Sequence, residues 1–431
     1  MDKEIRQFNA ELTVIGSGIA GFAASIFALN RGIRTAQIGN TGAVAYTTGY
    51  LDLLGALAPA VEPVSDPWQA LQEIKTREPN HPLVQVSEED IMEGFQQFTA
   101  FLSAHGIGYT SPGRKNVTAL TSVGTLKQTL CLPQTMAEGP RALSSKEPCV
   151  IIDFEGLKGF SGRQVVANLQ EQWPALSTVR IRFPDMSAGE IYPEVMGRAL
   201  EVPATREKLA ARLKEAAARV QIIGMPALLG IHKPDLVWSD LERLSGLTIF
   251  EIPTMPPSVP GIRLRELFEQ IFPAKGVTLI PQQKVRSLDC SKEKLRLHLS
   301  DNYGPIVINS RTAVLATGRF LSGGLEAKLS GIVETLIGLP VTQPPDRAAW
   351  YNDDYTGDAG HPIHKAGIEV DEQFRPLASS GQPYDPRLFA AGIVLAHQDW
   401  IRERCGAGVA IATAYKAVDA AAQFLQTSPS H

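Results

Sequence analysis

The residues with most chemical content are Gly16, Gly18 and Gly21, a Gly-x-Gly-x-x-Gly turn that also holds Ser17 and Ala20. An apolar run, Leu12 to Ile15, precedes the turn and a helical pattern, Phe22 to Asn30, follows it. That strand–turn–helix setting is what gives the spacing meaning. Gly16 permits the tight turn, Gly18 lets the backbone approach a phosphate, and Gly21 lets the helix pack closely on the strand. Phosphate oxygens then meet unpaired amides at the positive end of a helix dipole. The chemistry is retention of a nucleotide or flavin phosphate; the plainer alternative is a glycine-rich turn without a ligand.

Three later stretches repeat the theme. Ala316-Thr317-Gly318 ends a short apolar run, and Arg319 and a Ser-Gly-Gly turn follow at once. Arg387 to Gly392 is another apolar run ending in glycine, with His397 just beyond. Cys405-Gly406-Ala407-Gly408-Val409 opens a long alanine-rich helix, whose first amides could face an anion or a polarised carbonyl. A close-packed start to a core helix is the alternative. Arg263 and Arg265 leave a stretch stiffened by Pro253, Pro256, Pro257 and Pro260. A rigid guanidinium suits phosphate or carboxylate, although a surface crossover with solvated arginines explains the spacing as well.

The elements that must position these groups follow from the rest of the pattern. Gly32 to Asn40 reads as a helix stop and a second parallel strand, completing a βαβ unit. Such a strand commonly ends in an acid that holds a ribose hydroxyl, yet Gly39 and Asn40 stand there. This weighs against FAD or NAD gripped through an adenosine ribose and leaves a smaller flavin, or a dinucleotide bound differently, as the readings. Residues 41–55, with Thr48 and Gly49, read as a loop closing over the ligand. From about Glu62 the texture changes to amphipathic helices, as in Ser87 to Ala104, and Thr205 is placed to cap a helix reaching Arg219. Strand patterns at Cys149 to Phe154, Val220 to Gly224 and Leu247 to Glu251 suggest an inserted α/β unit. After the prolines come strands at Gly276 to Ile280 and Lys284 to Leu288, a hairpin at Leu295 to Ser300 and Ile306 to Ile308, and a strand at Thr312 to Ala316. The expected fold is α/β: a Rossmann-like FAD/NAD(P)-binding flavoprotein fold, split by an inserted α/β lobe. Its parts are a flavin domain in 1–60 and 256–431, and a cap or substrate lobe in 61–255.

Bulk properties narrow the class. A length of 431 residues, 44% hydrophobic and 20% charged, with net charge −4, gives no basic footprint for nucleic acid. The four cysteines, Cys131, Cys149, Cys290 and Cys405, form no Cys-x-x-Cys pair, so neither a metal site nor an iron–sulfur cluster is expected. No apolar run reaches 18 residues. The expectation is a cytoplasmic protein that meets a membrane only through a partner.

These motifs also resemble a family. Residues 253–264, the Ala-Val-Leu-Ala-Thr-Gly-Arg-Phe-Leu-Ser-Gly-Gly-Leu run at 313–325, Gly-Tyr-Leu-Asp-Leu-Leu at 49–54 and the Cys-Gly-Ala-Gly-Val helix start look like the B subunit of anaerobic glycerol-3-phosphate dehydrogenase. The resemblance spans about residues 11–425, closest in the motifs and looser in the inserted lobe. It implies an FMN-bearing subunit with two partners, a catalytic FAD subunit, and a membrane-attached iron–sulfur subunit, at the inner face of the cell membrane. The complex would oxidise sn-glycerol 3-phosphate to dihydroxyacetone phosphate and pass electrons to quinone in fumarate or nitrate respiration. In that chemistry His397 would take the hydroxyl proton and Arg263 and Arg319 would hold the phosphate. One departure is that Ile393, not an acid, follows Gly392. Rival expectations are an FMN relay, a non-catalytic assembly subunit, and a stand-alone FAD oxidoreductase of the fumarate reductase type.

Overall fold

The computed structural model describes residues 5–40, 43–59, 61–186, 189–217, 219–291 and 293–428. Residues 41 and 42 of the expected ligand loop, and the boundary residue 60, lie outside them. The chain forms two compact units: Met1–Ala43 with Asp52–Phe98 and Phe268–His431, and Val44–Leu51 with Thr99–Leu267. Residues 61–98, expected in the inserted lobe, therefore group with the first unit. Burial explains this: His81 is fully buried with Nε2 3.2 Å from Glu403 Oε2, and Gly94 leaves only 3.3 Å between an added Cβ and Tyr415.

In chain order the first unit begins with β1 (Arg6–Ile15), α1 (Ile19–Asn30) and β2 (Thr35–Gly39). The second unit contributes α2 (Glu138–Ser145), β3 (Cys149–Phe154), α3 (Gly162–Leu169), β4 (Leu176–Ile181), α4 (Pro193–Ala199) and α5 (Pro203–Ala216). It continues with β5 (Ile222–Pro226), α6 (Pro234–Ser245), β6 (Thr248–Ile252) and α7 (Val259–Ala274), which carries the chain back. The first unit then completes with β7 (Thr278–Pro281), β8 (Ser287–Asp289), β9 (Leu295–Asp301), β10 (Gly304–Leu315), β11 (Leu388–Ala390) and α8 (Gly406–Thr427).

The first unit's sheet runs β7-β2-β1-β10-β9-β8, with β11 also on β10. The β7, β2, β1, β10 and β11 pairings are parallel, and register places Pro281, Gly39, Ile15, Leu315 and Ala390 at one edge. Helix α1 is buried from Ala20 to Ala28, and Phe22 stacks on Phe268 at 4.2 Å. Every residue of β3 is buried, as a strand covered on both faces requires. Its sheet, β6-β5-β3-β4, is parallel throughout. Met196, Leu209, Leu213, Val237 and Leu241 pack on one face, and Ala142, Val165, Leu169 and Trp173 on the other.

Several boundaries differ from expectation for local reasons. The predicted strands at 306–308 and 312–316 are one strand, β10. Polar Ser310 does not break it, because its hydroxyl accepts from Thr13 at 2.8 Å and donates to the Thr312 carbonyl at 2.7 Å. Helix α5 starts at Pro203 after Val202, so Thr205 lies inside it and is no cap. Helix α7 starts at Val259, ahead of Arg263. The strand predicted at 284–288 shrinks to β8, because the left-handed Gln282 (φ 57°) turns the chain first.

Candidate functional site

The carboxyl edge of the parallel strands in the first unit collects most of the predicted site residues. Gly16 has φ 137°, and a Cβ there would lie 2.1 Å from the Ala316 carbonyl oxygen, so glycine lets β1 and β10 converge. Gly21 is needed for packing: its Cβ would lie 2.2 Å from the Gly16 oxygen. Gly18 is different. It precedes α1 with φ −85° and ψ −176°, and a Cβ there meets nothing within 4 Å. The space left by Gly18 faces a helix start whose first amides have no intrahelical acceptor, which is the donor set a phosphate needs.

The end of β2 is closed to an acid by more than its sequence. A Cβ at Gly39 would lie 2.7 Å from both the amide nitrogen and the Oγ of Ser17. The Ser17 hydroxyl meanwhile donates to the Asn40 carbonyl at 2.8 Å. Ser17, Gly39 and Asn40 thus form one packed corner in which a longer side chain at 39 has no room.

On the other side of Gly16, Thr317 Oγ1 is buried and has no hydrogen-bond partner among the described residues. Gly318 (φ 67°) turns the chain, and Arg319 follows. Arg319 was the expected phosphate ligand, yet Nε donates to the Ile393 carbonyl (2.7 Å) and NH2 to those of Leu395 (3.3 Å) and Gln398 (3.1 Å). NH1 donates to the His364 carbonyl. Burial pushes this guanidinium down to about 10, although Asp399, Cys405 and Glu403 nearby favour its charge. Arg319 is a buried clamp on the loop carrying Ile393 and His397, with its donors already engaged. Gly392 (φ 82°) starts that loop, and its amide donates to Thr413 Oγ1 at 2.8 Å. A Cβ on Gly392 would lie 2.7 Å from Ala20, which brings β11 and α1 together.

The glycine-rich start of α8 meets its close-packing reading at Gly408. Gly408 donates to the Asp52 carbonyl at 2.7 Å, and its Cβ would sit 2.4 Å from the Leu53 oxygen, so it is a packing glycine. The Val409 amide is taken by the Cys405 carbonyl. Gly406 and Ala407 are left as the donors this turn can offer.

Two of the remaining expectations move elsewhere. Arg263 lies in the second unit, 2% exposed, with NH1 and NH2 each 2.7 Å from a different oxygen of Glu251. Its Nε donates to the Gly230 carbonyl at 2.8 Å. It is therefore a core ion pair and not the free phosphate ligand that was expected. Thr48 and Gly49 also belong to the second unit, where a Cβ on Gly49 would lie 2.8 Å from Pro260. Packing accounts for Gly49 there.

His397 keeps a geometry suited to proton transfer. Its Nε2 lies 2.6 Å from Glu369 Oε1, which also accepts from the Thr342 hydroxyl at 2.6 Å. The hydrogen bond from His397 holds the Glu369 carboxyl below its usual value, against the opposing effect of burial. With Nε2 engaged, Nδ1 is the nitrogen left for a substrate proton.

Sequence reading missed two histidine sites because their partners are distant in the chain. His81, Glu403 and Cys405 form a buried cluster. His81 Nδ1 accepts from the Leu83 amide, so Nε2 carries the proton it gives to Glu403. A metal at Nε2 would have to displace that proton and leave an imidazolate, so the cluster reads as a hydrogen-bonded one. Burial raises the Cys405 thiol well above its usual value, and the Glu403 carboxylate adds to this, so it stays protonated. The second site pairs His364 with buried Asp399, at 3.4 Å.

Comparison with known proteins now decides the family. The profile of a family described as an FAD binding domain matches residues 11–409. The anaerobic glycerol-3-phosphate dehydrogenase B subunit from Vibrio cholerae serotype O1 (strain M66-2) is 31% identical over 422 residues, covering 95% of each chain. The B subunit from Aliivibrio fischeri (strain MJ11) is 28% identical over 97% of this chain and 96% of its own. A probable B subunit from Halobacterium salinarum is 29% identical over 96% and 98%. The chain belongs to the family of anaerobic glycerol-3-phosphate dehydrogenase B subunits. Membership makes it a flavoprotein dehydrogenase subunit, which supports FAD; the FMN that the resemblance implied has no support in the match.

The residues of this family member fit the phosphate part of such a cofactor. Gly18 leaves space at a helix start, and Thr317 offers a buried hydroxyl without a partner among the described residues. Gly406 and Ala407 could face the ring end. At Gly39 there is neither a carboxylate nor room for one to clamp an adenosine ribose. Among the described residues, no helix is long and apolar enough to cross a membrane.

Proposed function

We propose that this chain is the flavoprotein B subunit of an anaerobic glycerol-3-phosphate dehydrogenase, in a complex with a catalytic FAD subunit, and with an iron–sulfur subunit that attaches it to the membrane. The observation that carries the reading is the match over nearly the full length of both chains, together with the open Gly18 at the strand edge. The net reaction is oxidation of sn-glycerol 3-phosphate at C2. The C2–H bond breaks with its electron pair, the hydroxyl proton leaves to a base, and a carbonyl forms as dihydroxyacetone phosphate. Bound flavin supplies the two-electron acceptor, from which the electrons pass towards quinone.

The residues of this chain would act around that acceptor. Gly18 and the first amides of α1 would hold phosphate, Thr317 would donate or accept at the neighbouring strand end, and Gly406 and Ala407 would offer amides to the ring. Arg319 would keep the 393–398 loop in place, and His397 Nδ1 would accept the substrate proton. The engagement of both Arg263 and Arg319 by internal partners favours a second reading within the same complex. In it, the partner holding FAD performs the oxidation and this chain relays electrons to the iron–sulfur subunit.

Flavin analysis of the purified chain tests the proposal. The expected result is a flavin absorbance band and release of FAD on denaturation, near one per chain. A colourless, stoichiometric chain would sink the flavin reading, and released FMN would return the ligand to the smaller form. In the assembled complex, His397→Ala should lower turnover by about 100-fold if His397 is the base. Unchanged turnover with flavin retained would leave only the relay role.

A further inference from the structure

The first unit carries a short hairpin, Leu325–Lys328 and Gly331–Glu334, whose two outer edges differ. Register sets Ala327 opposite Ile332. The Ile332 amide donates to Gln343 Oε1 at 2.6 Å, and Gln343 Nε2 donates to the Ile332 carbonyl at 2.8 Å. The Gln343 carboxamide thus closes that edge as a neighbouring strand would. Opposed residues of an antiparallel ladder either bond each other or both turn outward. Ile332 turns outward, so the Ala327 amide and carbonyl face the opposite edge. Ala327 is exposed, and among the described residues nothing hydrogen-bonds these two groups. Arg347 holds the hairpin end by donating to the Lys328 carbonyl at 3.3 Å. One edge is capped and the other is left open.

A cavity of about 460 Å³ follows the open edge. Leu325, Glu326 and Ala327 all line it. Successive side chains of a strand point to opposite faces, so three in a row at one cavity place it along the strand's edge. Phe320 and Tyr351 give it apolar walls. Leu321, next to Phe320, and Leu329, at the hairpin tip, are 88% and 91% exposed. Exposed apolar surface of this kind, rimmed by polar groups, marks a place where another molecule packs. The cavity's ammonium is Lys284, which has no ion pair or hydrogen bond among the described residues. Its carboxylate, Glu326, already lies 3.6 Å from Lys328.

We propose that the open edge at Ala327 and the cavity beside it receive an extended segment of a different subunit, which adds a third strand to the hairpin. The inference rests on the reading of this chain as one subunit of a larger complex. Main-chain groups of the segment pair with the Ala327 amide and carbonyl, the bonding that strand addition uses for affinity. An apolar side chain of the segment enters between Phe320, Leu325 and Tyr351, and a neighbouring carboxylate reaches Lys284. An uncovered strand edge is a liability that proteins blunt with a cap or a partner, and here the cap stands only on the Ile332 side. A second copy of this chain fits less well. The acid it would bring to the same patch, Glu326, is already paired, which leaves Lys284 without a partner.

Amide hydrogen exchange, read by mass spectrometry on the purified chain and on its complex with the FAD and iron–sulfur subunits, tests this. Residues 325–328 should exchange readily in the isolated chain and slow by at least about tenfold on assembly, as an amide taken into a ladder does. Titration of the chain into the partner subunits gives the second readout. Ala327→Pro removes the outward donor while the hairpin's own bonds, made by its neighbours, remain; it should weaken assembly by about tenfold. Lys284→Glu should weaken it as well, and Tyr303→Ser, on a different exposed hairpin, should leave it unchanged. The exchange measurement uses the unaltered chain, so it decides the matter even where a variant folds poorly. Assembly with residues 325–328 still exchanging freely overturns this inference alone. So does equal loss in Ala327→Pro and Tyr303→Ser. Protection that appears in the isolated chain and grows with its concentration makes the occupant a second copy, which also overturns it. An unaltered chain that assembles with neither partner overturns the subunit reading and this inference with it.

Discussion

Replacing Glu251 by alanine is expected to destabilise the second unit by about 3–5 kcal/mol, a large share of the roughly 5–15 kcal/mol that typically holds a domain folded. Removing one member of a buried ion pair leaves the other charge uncompensated, and here that charge is Arg263, 2% exposed. Glu251 also accepts from the amides of Leu228 (2.8 Å) and Leu229 (2.7 Å) and from the Thr135 hydroxyl (2.6 Å), so alanine would orphan these donors too. The companion variant is Glu251→Leu with Arg263→Met, which removes both charges while keeping volume. It should recover part of the loss, as apolar replacement of buried pairs commonly does. Thermal and urea unfolding of the purified variants read both. A shift below about 1 kcal/mol for Glu251→Ala would mean the pair contributes no more than a surface bridge.

The same pair sets an acid limit. Burial pushes the Glu251 carboxyl up, but the charge and hydrogen bonds of Arg263, with those from Thr135 and Leu229, hold it below its usual value. A depressed folded pKa means stability that is fully present above the unfolded value of about 4.5 and lost as pH falls through the folded one. The second unit should therefore lose stability on acidification below about pH 4.5, and the Glu251→Leu/Arg263→Met variant should lose less over that range.

What the sequence made legible, and what it hid, divides along a physical line. Gly16, Gly18 and Gly21 announced a phosphate-type turn because their function is backbone geometry, which is local. The absent acid at Gly39 was equally readable, and packing against Ser17 supplies its reason. The roles of Arg263 and Arg319 were not readable. A guanidinium near a stiff turn has the same local pattern whether it faces a ligand or a buried carboxylate, and the deciding partners stand 12 residues away at Glu251 and 74 at Ile393. Likewise, His81 and Glu403 are 322 residues apart, and no spacing rule joins them. Domain limits failed for a related reason. Residues 61–98 have the helical texture of the inserted lobe, but burial of His81 and the close approach at Gly94 assign them to the first unit.

The glycines of the first turn allow the ligand to be separated from the fold, since the structure gives each a different duty. At Gly18 a Cβ meets nothing within 4 Å, and φ −85° is open to alanine. Gly18→Ala should cost at most about 1 kcal/mol, the usual effect at a helix N-cap. Yet the methyl would occupy the space through which a phosphate approaches the α1 amides, so flavin affinity should fall by at least about tenfold. Gly21→Ala should do the reverse in order of cause. Its Cβ would lie 2.2 Å from the Gly16 carbonyl oxygen, a backbone atom that cannot swing aside. The helix must then move off the strand, at about 1–3 kcal/mol or more, and flavin is lost as a consequence. The flavin-to-protein absorbance ratio, read with the melting temperature, distinguishes the two. Gly18→Ala should be stable and pale, and Gly21→Ala both unstable and pale. Full colour in Gly18→Ala would mean that no phosphate sits at this helix start, and the open space at Gly18 would need another occupant.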